Sequence, residues 1–136
     1  MPIFAESCNG SMKERMKVTS KICMTKDVGI NGNLFGGNML AWMDEAAAIF
    51  AQQITGEKNI VSVRFAEIVF KKPVREGNVI EFYCEKIKQG HTSVTFDILA
   101  VVEDDEVFRT ECTFVAVDDQ GKKTPINWSE KVSRQQ

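Results

Sequence analysis

Between Arg15 and Thr25 the apolar residues Met16, Val18, Ile22 and Met24 share one parity, the period-two pattern of a β-strand. Lys26 to Asn33 breaks that pattern and reads as a loop, with Gly29 and Gly32 as its breakers. From Gly36 the apolar positions crowd together with no period of two, which predicts a helix starting near Gly36–Gly37. It stops near Thr55–Gly56, where glycine offers a C-terminal cap. The period then returns to two. Val61, Val63 and Phe65 face one way and Ile68 and Phe70 the other, so a bulge or bend is expected at Ala66–Glu67. Residues 73–78 make a turn by composition and residues 79–88 a strand. Gln89–Gly90 turns that strand into another over Thr92–Val102. Glu103–Glu106 form an acidic hairpin tip before a last strand over Val107–Val117, and residues 118–123 turn again.

The predicted organisation is an arm over 1–14, one domain over 15–125 and a polar tail over 126–136, without repeats or linkers. The element order β-α-β-β-β-β, with short hairpins joining the later strands, predicts an antiparallel sheet covering one long helix, an α+β domain. Such a two-layer unit leaves sheet edges and one side of the helix poorly covered, which points to a symmetric dimer.

The helix carries the puzzle of the chain. Apolar almost all round, it is expected to be buried, yet Asp44 and Glu45 sit at its middle. A buried carboxylate loses several kcal/mol of hydration unless something pairs with it. Two readings stay open: a narrow solvent-facing stripe, or a carboxylate placed for chemistry. Gly36–Gly37 is equally double. The glycines let a crowded loop pass close to the sheet, or the free N–H groups of the helix N-terminus bind an anion or a developing oxyanion.

Composition narrows the classes. At 136 residues with 43% hydrophobic and 26% charged positions the chain fits one globular domain, and a net charge of −2 offers no basic face for nucleic acid. No stretch reaches the roughly 18 uninterrupted apolar residues of a membrane span, and the N-terminus lacks a signal-peptide layout. Cys8, Cys23, Cys84 and Cys112 form no CxxC pair, so zinc ligation is not expected. Reduced thiols and a cytoplasmic location are. The single histidine, His91, lies in a hairpin turn, which removes Ser-His-Asp and Cys-His catalysis from consideration. A phosphate loop is unsupported, since its lysine and Ser/Thr are missing. Cys84 and Cys112 lie on strands, where buried inert thiols are the rule. Arg64, Lys71, Lys72 and Arg75 read either as a solvated rim or as a seat for phosphate groups.

Spacing adds one constraint. Asp44 lies seven residues beyond Gly37, nearly two turns, so the two share a helix face about 10 Å apart. A reacting carbonyl sits near 3 Å from both its attacking group and its oxyanion donors. One helix therefore cannot supply both to one carbonyl, and the geometry prefers Asp44 from one subunit with the Gly37 N–H from another.

The run Asn31-Gly32-Asn33-Leu34-Phe35-Gly36-Gly37 followed by Trp42-Met43-Asp44-Glu45 resembles the hotdog-fold acyl-CoA thioesterases of the cytosolic acyl-CoA hydrolase type. Phe70-Lys71-Lys72-Pro73-Val74 with Gly77, Gly90-His91-Thr92-Ser93-Val94, and Thr113–Asp118 before Gly121 continue the resemblance in order over about residues 15–125. The resemblance implies a hotdog fold, an antiparallel sheet wrapped around a central helix. It implies hydrolysis of an acyl-CoA thioester to the acid and CoA, with no cofactor beyond the coenzyme A of substrate and product. It makes Asp44 the catalytic nucleophile or general base and the Gly37 amide the polarising donor. Phe35, Gly36, Arg64, Lys72, Gly90, Thr92 and Ser93 become substrate-binding positions. A double-hotdog homodimer, assembled into a hexamer as a trimer of dimers, is the implied state. One departure stands out: many members carry an asparagine three residues before the turn glycine, and Gly29 holds that place, leaving Asn31 as the nearby amide. The alternative is a non-catalytic acyl-CoA-binding or regulatory module. A hotdog dehydratase or hydratase would need a histidine where this chain has none.

Overall fold

The computed structural model describes residues 15–128; the arm expected over 1–14 and positions 129–136 of the tail lie outside the described residues. Strand β1 (Met16–Ile22) leads through a short 3-10 turn, Thr25–Asp27, to helix α1 (Gly36–Thr55). Strands β2 (Ile60–Phe65), β3 (Val69–Phe70), β4 (Val79–Gln89), β5 (Ser93–Val102) and β6 (Asp105–Ala116) follow. The sheet runs β1-β4-β5-β6-β2, antiparallel throughout, with β3 also on β6. One helix packed on an antiparallel sheet is the α+β hotdog arrangement. No helix among the described residues is long and apolar enough to cross a membrane.

The helix ends fall where glycine chemistry puts them. At the C-terminus Gly56 takes the left-handed conformation (φ 72°) and its N–H closes on the Gln52 carbonyl at 2.8 Å. The stretch between is rich in Ala, with two Met and no proline, so propensity sustains twenty residues. Met39, Met43, Ala46, Ala47, Phe50, Ala51 and Ile54 recur at three- and four-residue steps and bury one face against the sheet. Phe50 meets Phe96 edge-on at 4.9 Å between ring centroids, and Phe96 stacks on Phe114 at 5.9 Å. Phe82, Phe108, Ile80 and Ile98 complete that core without exposure.

The other face corrects an expectation. Gly37, Ala41, Asp44 and Glu45 are exposed, so within one chain α1 is not buried all round and Asp44 keeps its water. A second correction concerns β1. Its register on β4 shifts between Lys17 and Thr19, a bulge that reverses which side the following residues face. Ile22 and Met24 therefore end up exposed and Cys23 is buried in their place, while Val18, at the bulge, packs partly on the core and Met16, before it, is exposed at the strand's start. The slip expected at Ala66–Glu67 separates two strands: β2 and β3 both pair with β6, and the Ala66 N–H reaches the Glu111 carbonyl at 2.8 Å between them. A further shift between Ser62 and Arg64 turns Phe65 to the core side, opposite Cys112, while Val61 and Val63 stay exposed (45% and 56%) on this edge strand. The acidic tip is a two-residue turn with Glu103 and Asp104 both at positive φ, the geometry that matches strand twist in tight hairpins. Packing continues past residue 125. Ile126 is buried with its N–H on the His91 carbonyl, and the Trp128 indole N–H donates to the Gly90 carbonyl at 2.7 Å.

Candidate active site at the start of the helix

The loop before α1 is built on Asp27. Its side chain accepts the Met24 N–H (3.0 Å) and the Lys26 ammonium (2.9 Å), which hold its carboxyl below the usual carboxylate range. Its carbonyl accepts two donors from beyond the loop, the Phe35 N–H at 3.1 Å and the Asn38 Nδ2 at 2.9 Å. Between them the chain folds into a miniature hairpin. Val28 bridges Leu34, the Gly29 N–H donates to the Asn33 carbonyl at 2.7 Å, and Gly32 turns at φ 84°. The Asn31 side-chain carbonyl accepts the Asn33 N–H at 3.2 Å. That bond occupies Asn31 Oδ1 and leaves its NH₂ group as the donor the residue can offer. Leu34 then hydrogen-bonds through its N–H to the Val74 carbonyl at 2.7 Å, joining the loop to the Phe70–Val74 segment.

Phe35 precedes the helix with an extended backbone and no side-chain cap. The N–H groups of Asn38 and Met39 turn back on its carbonyl, but those of Gly36 and Gly37 meet no acceptor among the described residues. They are the unsatisfied donors of a helix start, at the positive end of the dipole. The exposed Phe35 ring lies over Gly37 so closely that a Cβ there would come within 2.8 Å of Cε2. A Cβ at Gly29 would touch the same ring at 3.5 Å. Gly29, Phe35 and Gly37 thus form a contiguous row, and the aromatic ring borders the position where the resemblance calls for an asparagine.

Beside this row lies a cavity of about 300 Å³ lined by Asn31, Asn33, Leu34, Gly36, Met39, the Phe70–Val74 segment and Val107. It contains Asn31, Gly36 and Lys72 of the expected site, and Gly37 and Phe35 adjoin it through Gly36. Asp44 follows on the exposed face of α1, two turns from Gly37. The remaining expected positions are elsewhere in the chain. Arg64 reaches Thr113 (3.1 Å) and Glu111 (2.8 Å). The Gly90–Ser93 turn sits at the far end of the sheet, with Ser93 opposite Val115, whereas the cavity adjoins Phe70, opposite Phe108. The six residue steps of β6 from Phe108 to Phe114 span about 20 Å, so one chain does not bring that turn to the helix start.

Lys71 and Lys72 carry ion pairs on the exposed rim. Lys71 pairs with Glu106 and Lys72 with Asp105 at 3.2 Å. Beyond them, on the side of the sheet away from α1, Arg109 reaches Glu106, Asp97 and Glu85. Hydrogen bonds from Arg109 pull the Glu106 carboxyl down to about 2. Burial pushes the Cys84 and Cys112 thiols well up, leaving them poor nucleophiles. Sequence reasoning reads Met39 as helix core and Val107 as strand core. That they share a cavity depends on the β3–β6 pairing and on the Leu34–Val74 hydrogen bond, which no local pattern announces.

Known proteins agree with this architecture. The thioesterase superfamily model matches residues 31–108. The acyl-CoA thioester hydrolase YciA of Salmonella typhimurium is 33% identical over 118 residues, 80% of this chain and 88% of that protein. The hexameric thioesterase y2039 from Yersinia pestis is 34% identical with a TM-score of 0.77, covering 82% of this chain and 95% of that one. Cj0915, a hexameric hotdog fold thioesterase of Campylobacter jejuni, is 29% identical with a TM-score of 0.75 over 92% and 97% of the two chains. Sequence match, strand order and central helix converge: the chain belongs to the thioesterase superfamily and is a hotdog-fold thioesterase.

Proposed function

We propose that the protein hydrolyses acyl-CoA thioesters, with Asp44 of one subunit acting on a carbonyl held by the Gly37 N–H of another. The observation that carries this reading is the exposed face of α1, where an N–H without an acceptor and a solvent-facing carboxylate lie two turns apart. As a general base, Asp44 takes a proton from water, whose oxygen adds to the thioester carbon. The Gly37 N–H receives the oxyanion, the C–S bond breaks, and the proton passes to the departing CoA sulfur. As a nucleophile, the carboxylate itself adds, CoA leaves, and water opens the resulting anhydride. A single turnover in labelled water separates the two, since label entering the Asp44 side chain requires the anhydride. Asn31, through its free NH₂, is the amide nearest to the role of the asparagine replaced by Gly29.

The second subunit is supplied by a symmetric dimer. The outer edge of β2 is unpaired within the described residues and displays Val61 and Val63, an edge that natural sheets cover. A two-fold axis perpendicular to that edge strand reverses the partner sheet, so its Gly90–Ser93 end falls level with this chain's helix start. This is the route by which Gly90, Thr92, Ser93 and Arg64 enter a shared CoA site. A trimer of such dimers, a cytoplasmic location and no cofactor beyond CoA itself complete the reading. The buried free thiols of Cys23, Cys84 and Cys112 support a reducing compartment.

Mixed oligomers test the two-subunit site. Asp44→Ala and Gly37→Pro, the latter removing the donor N–H in the first helical turn and displacing the exposed Phe35 ring, are each expected to be inactive. Random reassociation of the two should restore about a quarter of wild-type activity, because half the dimers are mixed and each holds one intact site. No recovery on mixing rejects the shared site. If wild type hydrolyses no acyl-CoA yet binds CoA, the non-catalytic module, which Gly29 favours, replaces the enzyme.

A further inference from the structure

Burial divides the cavity at the helix start into two zones. Met39, Val74 and Val107 are almost fully buried and form its floor, while Asn31, Phe70, Lys71, Lys72 and Pro73 are exposed and form its rim. All three floor side chains are apolar and the charges are confined to the rim. The two lysines there lie on the exposed rim, paired with Glu106 and Asp105, and the floor itself carries no charged side chain. An apolar floor with a few polar groups at the mouth is the anatomy of a site for a hydrocarbon group. It opens beside Gly36, one residue from the N–H assigned to the thioester oxygen.

We infer that this cavity takes the acyl chain and that Met39 closes its end, making the protein selective for short and medium acyl groups. The inference rests on the acyl-CoA reading above and adds a length limit to it. A volume of about 300 Å³ holds on the order of ten atoms at the roughly 30 Å³ that a water-sized group occupies in a liquid. Allowing for imperfect filling, saturated chains up to about eight carbons fit and palmitoyl-length chains do not. Met39 stands in the first turn of α1, three residues after Gly36, so its buried side chain lines the cavity while its backbone belongs to the helix start. A flexible thioether suits a floor that adjusts by an atom or two, which softens the cutoff without removing it.

The test compares wild type, Met39→Ala and Val107→Leu across saturated acyl-CoAs from C2 to C16, reading kcat/KM and, with non-hydrolysable thioether analogues, binding. Wild type should peak at or below C8 and fall by roughly tenfold or more per added methylene past the limit. Met39→Ala should move the peak two to four carbons longer (about the side-chain length removed), and Val107→Leu, which adds a methylene to the same floor, should move it shorter. The optimum is a ratio within one variant, so a partly misfolded preparation lowers every chain equally and leaves it readable. A wild-type optimum at C14–C16, or an optimum unmoved in both variants, overturns the inference. If nothing is hydrolysed but analogue binding shows the same cutoff and the same shifts, the length limit stands and the hydrolytic reading falls.

Discussion

Toward the sheet, α1 presents Met39, Met43, Phe50 and Ile54, large side chains whose sizes are set by the cavity each must fill. Away from it, the same helix shows Gly37, Ala41 and Asp44, exposed residues that fill no part of their own chain's core. The first face is explained by packing inside one subunit. The second makes sense if something approaches closely, for small side chains let a backbone or substrate come near and the carboxylate meets it. Twenty consecutive residues thus serve two kinds of constraint, and substitutions on the two faces should fail in different assays.

Asp44→Asn should produce the largest effect: kcat lower by roughly a hundredfold to ten-thousandfold, with unfolding free energy within about 0.5 kcal/mol of wild type in a urea titration. Equal loss in both measurements would erase the distinction between the faces. Phe50→Ala is the mirror experiment. It removes the ring against Phe96 and should cost about 3–5 kcal/mol of stability. Activity per folded molecule should persist at permissive temperature. Ala41→Leu sharpens the picture further. It is harmless inside one chain but intrudes on any partner, so sedimentation should show association weakened about tenfold or more. The smallest change is expected from the outer side of the sheet, which serves as a control. Glu106 has its carboxyl held near 2 by Arg109, against an ordinary value of 4.5. A depressed folded-state value gives stability that is present above 4.5 and is lost as pH falls toward 2. The stability gap between wild type and Glu106→Gln should therefore be constant near neutrality and close across that acid window, leaving kcat unchanged.

Much of the fold was legible because its signals are local. Glycine at 56 stops the helix wherever the rest of the chain goes, and the alternation in β4, β5 and β6 assigns inner and outer sides without knowledge of partners. The failures share a cause as well. Ile22 shares its parity with Met16, and Val61 with Phe65, but a single-residue bulge between the members of each pair puts them on opposite sides, and a bulge leaves no composition signature. The same holds for the helix: an apolar pattern says that a face is covered, not by which molecule. The sequence-derived separation of Gly37 and Asp44 survives because it depends only on helical rise. The fate of Lys71 and Lys72 was invisible, since their carboxylate partners lie more than thirty residues away across a strand pair.

The doubly accepting carbonyl of Asp27 has a thermodynamic consequence. By receiving both the Phe35 N–H and the Asn38 side chain, it fastens the loop that walls the cavity to the first turn that carries the unpaired amides. Wall and donors therefore form one rigid body before any ligand arrives. Little ordering entropy is left to lose on binding, and Asn38→Ala should show its effect as a less favourable binding entropy in calorimetry rather than as a change in the chemical step.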